Sequence, residues 1–144
     1  MIPQAAATPV ADYLDGLGGQ IPTALVIALG GEELRIVGRR GRFGEFELGS
    51  LSSHPLLVEV LDSGGPWMGH QSPPLEAFQE HIGRGQDGGA AVLWPLVYGE
   101  KRFGIVYLEP KQADVDATLL GHLSLNAGRL VQRLHARLVG IQPR

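Results

Sequence analysis

Residues 90–110 read AAVLWPLVYGEKRFGIVYLEP. Two apolar runs, 90–97 and 102–109, meet at Tyr98-Gly99-Glu100-Lys101, so the stretch predicts a β-hairpin. In the second run Phe103, Ile105 and Tyr107 fall on one side, Val106 and Leu108 on the other. A strand apolar on both sides belongs in the middle of a sheet, covered above and below. Pro95 removes a ladder donor from the first run, which predicts a bulge or an edge there.

The same reading extends outward. Residues 24–29, ALVIAL, are a second strand apolar on both sides, ended by Gly30-Gly31. Residues 33–37 alternate polar with apolar and predict its half-exposed hairpin partner. Residues 38–49 carry glycines at 38, 41, 44 and 49 and read as a loop with a short strand over 43–48. Ser53 is placed to cap a helix with Pro55 in its first turn and Leu57, Val60 and Leu61 inward; Ser63-Gly64-Gly65 ends it. A brief strand over 67–70 follows. Ser72-Pro73-Pro74 repeats the helix-start signal, with Leu75, Phe78 and Ile82 inward and Gly83 and Gly85 as the stop.

Helices are expected at both ends. Val10, Tyr13, Leu14 and Leu17 fall at helical spacing before Gly18-Gly19. Asp114 is expected to open the longest helix, running to about residue 139. Its apolar stripe is Leu119, Leu123, Ala127, Leu130, Leu134 and Leu138, widened by Leu120 and Val131. The economical arrangement is an α+β domain: one antiparallel sheet of five to six strands with helices gathered against it. A single domain over 10–140 is expected, with a loose segment at 1–9 and a tail at 141–144.

Composition narrows the function. The chain has 144 residues, which suits one domain. Its 12 Lys plus Arg against 15 Asp plus Glu argue against nucleic acid as a partner. It has no cysteine, which excludes disulfides, thiolate metal sites and a thiol nucleophile. The five histidines, at 54, 70, 81, 122 and 135, form no short metal-binding motif, so no metal or other cofactor is expected. Gly-x-Ser-x-Gly, Ser-x-x-Lys and the P-loop pattern are absent, so the expectation is not an enzyme. No apolar run approaches a membrane span and residues 1–10 lack a signal-peptide pattern; a cytoplasmic location is the expectation.

Pro95, Leu96, Gly99, Gly104, Val106 and Leu108, followed by Asp116, Leu119 and Leu120, closely resemble the C-terminal half of a GAF domain. The resemblance spans roughly residues 10–139 and is looser in the front half. It implies N- and C-terminal helices on one face of the sheet and short helices and loops on the other. It also implies a regulatory module of bacterial signalling that dimerises or meets a partner signalling protein, with a small-molecule sensor as the alternative. The family's bilin-binding and methionine sulfoxide reductase members need cysteines, which this chain lacks. Its cyclic-nucleotide members carry an Asn-Lys pair, and Asn126 is the only asparagine here. A roadblock-like adaptor also opens with a helix and a hairpin, but has no good place for two middle helices.

Two sets of candidate site residues follow. By position in such a fold, Trp67, Met68, Phe78 and Trp94 are expected around a ligand pocket closed by the loop at 85–89. On the terminal helix, Leu123, Leu130, Leu134 and Leu138 are expected at an interface with a second copy or a neighbouring domain. The alternative is that residues 10–17 cover this stripe within the monomer. Arg35, Arg39, Arg40 and Arg42 are open to two readings, an anion or acidic-partner patch and a solvated loop balanced by nearby glutamates.

Overall fold

The computed structural model describes residues 7–70, 72–85, 88–111 and 115–141, with the side chains of 7, 8 and 137–141 outside the description. The elements in chain order are α1 (Ala7–Asp15), β1 (Thr23–Gly30), β2 (Glu33–Arg40), β3 (Gly49–Ser50), α2 (Pro55–Ser63), β4 (Trp67–Gly69), α3 (Pro73–His81), β5 (Ala91–Tyr98), β6 (Lys101–Glu109) and α4 (Ala117–Ile141). The strands form one antiparallel sheet of six in the order β3-β2-β1-β6-β5-β4. Both strands read as apolar on two sides, β1 and β6, lie at its centre, paired from Thr23↔Glu109 to Ala28↔Gly104.

Strand alternation sorts the side chains into two cores. Ala24, Val26, Val106 and Leu108 point to α1 and α4, where they meet Val10, Tyr13, Leu17, Leu123, Ala127, Leu130 and Leu134. Leu25, Ile27, Ile105 and Tyr107 point the other way, to Leu56, Leu57 and Val60 of α2 and Leu75 and Phe78 of α3. Phe103 is a correction: it lies with Val106 and Leu108, not with Ile105 and Tyr107. The pairs Leu96↔Gly104 and Val97↔Arg102 leave Phe103 as an extra residue, and this bulge turns it to the opposite face. Pro95 sits just before that bulge, on the part of β5 that runs past the three-residue β4.

Two glycines permit close approaches. A Cβ at Gly104 would strike the carbonyl oxygen of Ile27, so only glycine lets β6 lie against β1 there. A Cβ at Gly38 would sit 2.7 Å from Val10, so the bare backbone of β2 lets α1 pack down on the sheet.

Several boundaries move. No strand forms over 43–48; the short β3 comes later and pairs only with Glu33 and Leu34. Ser53 closes a turn of 3₁₀ helix, and the residue before α2 is His54. α1 begins within the stretch expected to be loose, whose first six residues lie outside those described. Asp114 also lies outside them, and the cap on α4 is Asp116, whose Oδ1 accepts the N–H of Leu119 at 2.8 Å. Among the described residues no helix is long and apolar enough to cross a membrane.

Replacing Gly104 with valine forces β6 away from β1. The expected loss is at least about 2 kcal/mol, from overpacking between two central strands. It is read as a lower urea midpoint at an unchanged denaturant slope; an unchanged midpoint would contradict the close approach.

Candidate functional site

The face of the sheet under α2 and α3 carries the buried polar chemistry. α3 starts at Pro73 after the extended Ser72, and the prolines occupy positions whose N–H groups would find no helical partner. Its inward face presents Leu75, Phe78 and Gln79. Gly83, at φ +80°, ends the helix in the left-handed region, and a Cβ there would strike the backbone nitrogen of Gly44. This crossing lets the Gly44 N–H donate to the Ile82 carbonyl at 3.1 Å and turns the next residue, Arg84, back under the helix.

Arg84 meets Glu109, the last residue of β6, in a two-pronged ion pair. Nε donates to Oε2 at 3.0 Å and Nη2 to Oε1 at 2.7 Å, with the side chains 12% and 7% exposed. The Tyr107 hydroxyl donates to Glu109 Oε2 at 2.6 Å and accepts from Gln79 Nε2 at 3.0 Å. Gln79 also donates to the Gly89 carbonyl at 2.9 Å, and Arg84 Nη1 to the Arg42 carbonyl at 3.2 Å. Within this network the two charges and the Tyr107 hydroxyl each have a partner, as burial requires. The network ties α3 and two loops to the strand that leads toward α4. The Glu109 carboxylate is thus fixed in place by the Arg84 guanidinium and the Tyr107 hydroxyl.

Beside it, His54 and His81 lie edge to face at 4.9 Å. Nε2 of His54 donates to the Leu48 carbonyl at 2.6 Å, and Nε2 of His81 to the Glu47 carbonyl at 2.7 Å. They pin the 41–48 loop instead of converging on a metal. Among the described residues no group of three or more His, Cys, Asp or Glu is placed to hold one.

The expected pocket residues are dispersed. Trp67 pairs with Leu93 and packs toward α2, its indole N–H donating to Glu59 at 3.1 Å. Phe78 lies buried between the rings of His54 and Tyr107, at 5.8 and 5.5 Å. Trp94 is on the opposite face, against the α1 and α4 core, because Leu93 already points to the α2 side. Met68 alternates away from Trp67 and is 52% exposed. Residues 86 and 87 of the expected closing loop lie outside the described residues.

Of the residues expected at an interface, Leu123, Leu130 and Leu134 are buried in the core that α4 shares with the sheet and α1. The side chain of Leu138 lies outside the description. What α4 does expose near α1 is an open groove of about 240 Å³, lined by Asp12, Asn126, Arg129 and Arg133, with Asp12 and Arg133 paired at 2.8 Å. Gln79, Arg84, Tyr107 and Glu109 were not legible as a group. One signal points to them: an acid on a strand buried on both faces must find a cation.

No family model matches the sequence, and no curated protein does. Solved structures do match. The GAF domain of a two-component sensor histidine kinase from Bacillus halodurans aligns with a TM-score of 0.74 at 15% identity, over 99% of this chain and 100% of that one. The type II free methionine-R-sulfoxide reductase from Thermoplasma acidophilum aligns at 0.68 and 13% identity, over 92% and 94%. The GAF domain of a putative sensor histidine kinase from Pseudomonas syringae pv. tomato aligns at 0.59 and 17% identity, over 95% and 80%. At these identities the likeness is one of fold, and the fold of this chain is that of a GAF domain.

Breaking the ion pair from one side strands a buried charge. Arg84→Met is expected to cost about 3–5 kcal/mol, and adding Glu109→Leu to recover most of it, measured by denaturant unfolding as a double-mutant cycle. Full additivity of the two losses would contradict the coupling.

The pH dependence follows from the tyrosines. Burial pushes the Tyr107 hydroxyl well above the usual tyrosine range, reinforced by its hydrogen bond to Glu109; burial alone raises that of Tyr13. Below about pH 10 both states keep these protons. Above it the unfolded chain ionises and the folded one does not, so stability falls as pH rises. The fall is expected to be shallower in Tyr107→Phe, measured as Tm against pH; an equally steep fall would contradict the assignment.

Proposed function

We propose that this GAF-fold chain is a non-catalytic regulatory module of bacterial signal transduction, acting through the outward face of α4 on a second copy or a partner signalling protein. The carrying observation is that face. Leu125 is 54% exposed there, the only large apolar side chain described as exposed on α4. It lies between Gly121 and Gly128, where an added Cβ would meet nothing within 4 Å. Spacings of four and three put all three on one stripe, with the glycines leaving the helix backbone open to close approach. α4 has 25 residues, about 38 Å at 1.5 Å per residue, long enough to carry a packing change from one end to the other.

Three observations support a module that regulates and does not catalyse. GAF domains of sensor histidine kinases are among the structures it resembles. The methionine-R-sulfoxide reductases of the same fold belong to a class that works through cysteines, and this chain has none. Gln79, Arg84, Tyr107 and Glu109 are bonded to one another and to backbone carbonyls. The dispersal of Trp67, Met68, Phe78 and Trp94 favours an interaction surface over a sensor pocket walled by those four side chains.

Sedimentation of the full chain across the micromolar range is the test. The wild type is expected to self-associate. Leu125→Glu is expected to be monomeric with unchanged circular dichroism, whereas Leu134→Glu should unfold because its site is core. A wild type that stays monomeric and binds no signalling partner, or a Leu125→Glu variant that associates as before, overturns the reading.

A further inference from the structure

The β5–β6 hairpin runs on past the rest of the sheet. β1 pairs with β6 only as far as Gly104, and β4 pairs with β5 only at 91–93. The tip, residues 97–103, therefore has no strand on either side among the described residues. A two-stranded ribbon by itself is marginal in water. What supports this one is α4. Val92, Trp94 and Leu96 of β5 face the core under α1 and α4, and Tyr98 continues their alternation. The bulge in β6 adds Phe103 to the same face, 6% exposed and in one buried cluster with Val131 and Leu134 of α4.

At the end of that row the Tyr98 ring lies flat on the imidazole of His135, with centroids 4.1 Å apart and planes inclined by 16°. Nδ1 of His135 is buried and has no hydrogen-bond partner, so no polar bond from that nitrogen helps to hold the ring. Tyr98 is 45% exposed, so water reaches the contact. Leu134 is the last described side chain of α4 that is buried. On the α1 side the helix is held here by Arg133 to Asp12, an exposed pair of a kind that adds little.

We infer that the hairpin tip and the end of α4 form a releasable clasp, fastened by Tyr98 on His135, which opens while the sheet stays folded. Neither side has other firm support: the tip lacks a flanking strand, and the helix shows no buried side chain described after Leu134. The fastening is also incomplete. The unpartnered nitrogen is a cost while the clasp is closed, and it finds water when the clasp opens. The first half of α4 is held differently. It is capped by Asp116, tied to the Gly16 carbonyl by Asn126, and buried at Leu123, Ala127 and Leu130. Opening at His135 leaves that half docked. Because each side steadies the other, removing one ring loosens both, and the coupling is the same seen from either end. The clasp concerns how α4 is held and does not depend on whether its outward face meets a partner.

The test is amide hydrogen exchange of the isotope-labelled full chain, read residue by residue. In the wild type, amides within 132–136 and 97–103 are expected to exchange through openings that leave 24–28 and 105–108 protected. Tyr98→Ala is expected to speed exchange at 132–136 by about threefold to tenfold, and His135→Ala to do the same at 97–103, from the loss of one stacked pair. Tyr98→Phe keeps a ring on the imidazole and is expected to leave both segments unchanged. Repeating each run at about tenfold lower concentration separates the clasp from self-association. The proposal is overturned if either alanine variant leaves the opposite segment unchanged, if the loss of protection extends equally to 24–28, if the effect disappears on dilution, or if Tyr98→Phe is as disruptive as Tyr98→Ala.

Discussion

The structure depends on one strand pairing. β1 and β6 lie side by side from Thr23↔Glu109 to Ala28↔Gly104, and among the described residues no other strand pair joins the front hairpin to the back one. The partners are far apart in sequence, so closing that loop costs chain entropy before any contact repays it. Repayment comes from burial on both faces, since neither strand has a solvent side. Gly104 is the point at which this closure is tightest, with the Ile27 carbonyl where a side chain would begin.

Once the two hairpins are joined, the sheet separates two interiors of different character. The side under α1 and α4 is almost wholly apolar, and its long helix has spent its stripe on the sheet and on α1. The side under α2 and α3 is mixed. There Gln79, Tyr107, Glu109 and Arg84 form a closed set of hydrogen bonds, and two histidines hold a loop by its carbonyls. Polar groups placed this way fix how loops sit more than they add to net stability, because each had good partners in water.

Much of this was legible in advance. Two-sided apolar runs marked β1 and β6 as central, and glycine and proline punctuation located the middle helices. On α4 the stripe is legible too: Leu123, Ala127, Leu130 and Leu134 are buried, with Leu119 partly so. A helix stripe says which face is buried and not by what, and here the sheet and α1 share the cover. Where the four candidate pocket residues lie is likewise decided by the folded chain. Trp67 and Trp94 are both large and nearby in the fold, but strand alternation puts them on opposite sides of the sheet once Trp67 is registered against Leu93.

Periodicity and turn chemistry are local, and they suffice for the two hairpins, the helices, the two central strands and the α+β class, because each follows from neighbours within a turn or a hairpin; the loop over 43–48, read as a strand, is set by its distant partners instead. Register, the bulge that flips Phe103, the partner of Glu109 and the bare edge of β2 needed the folded chain. Those depend on which distant segments come together, and Arg84 finds Glu109 only after α3 has been laid across the sheet.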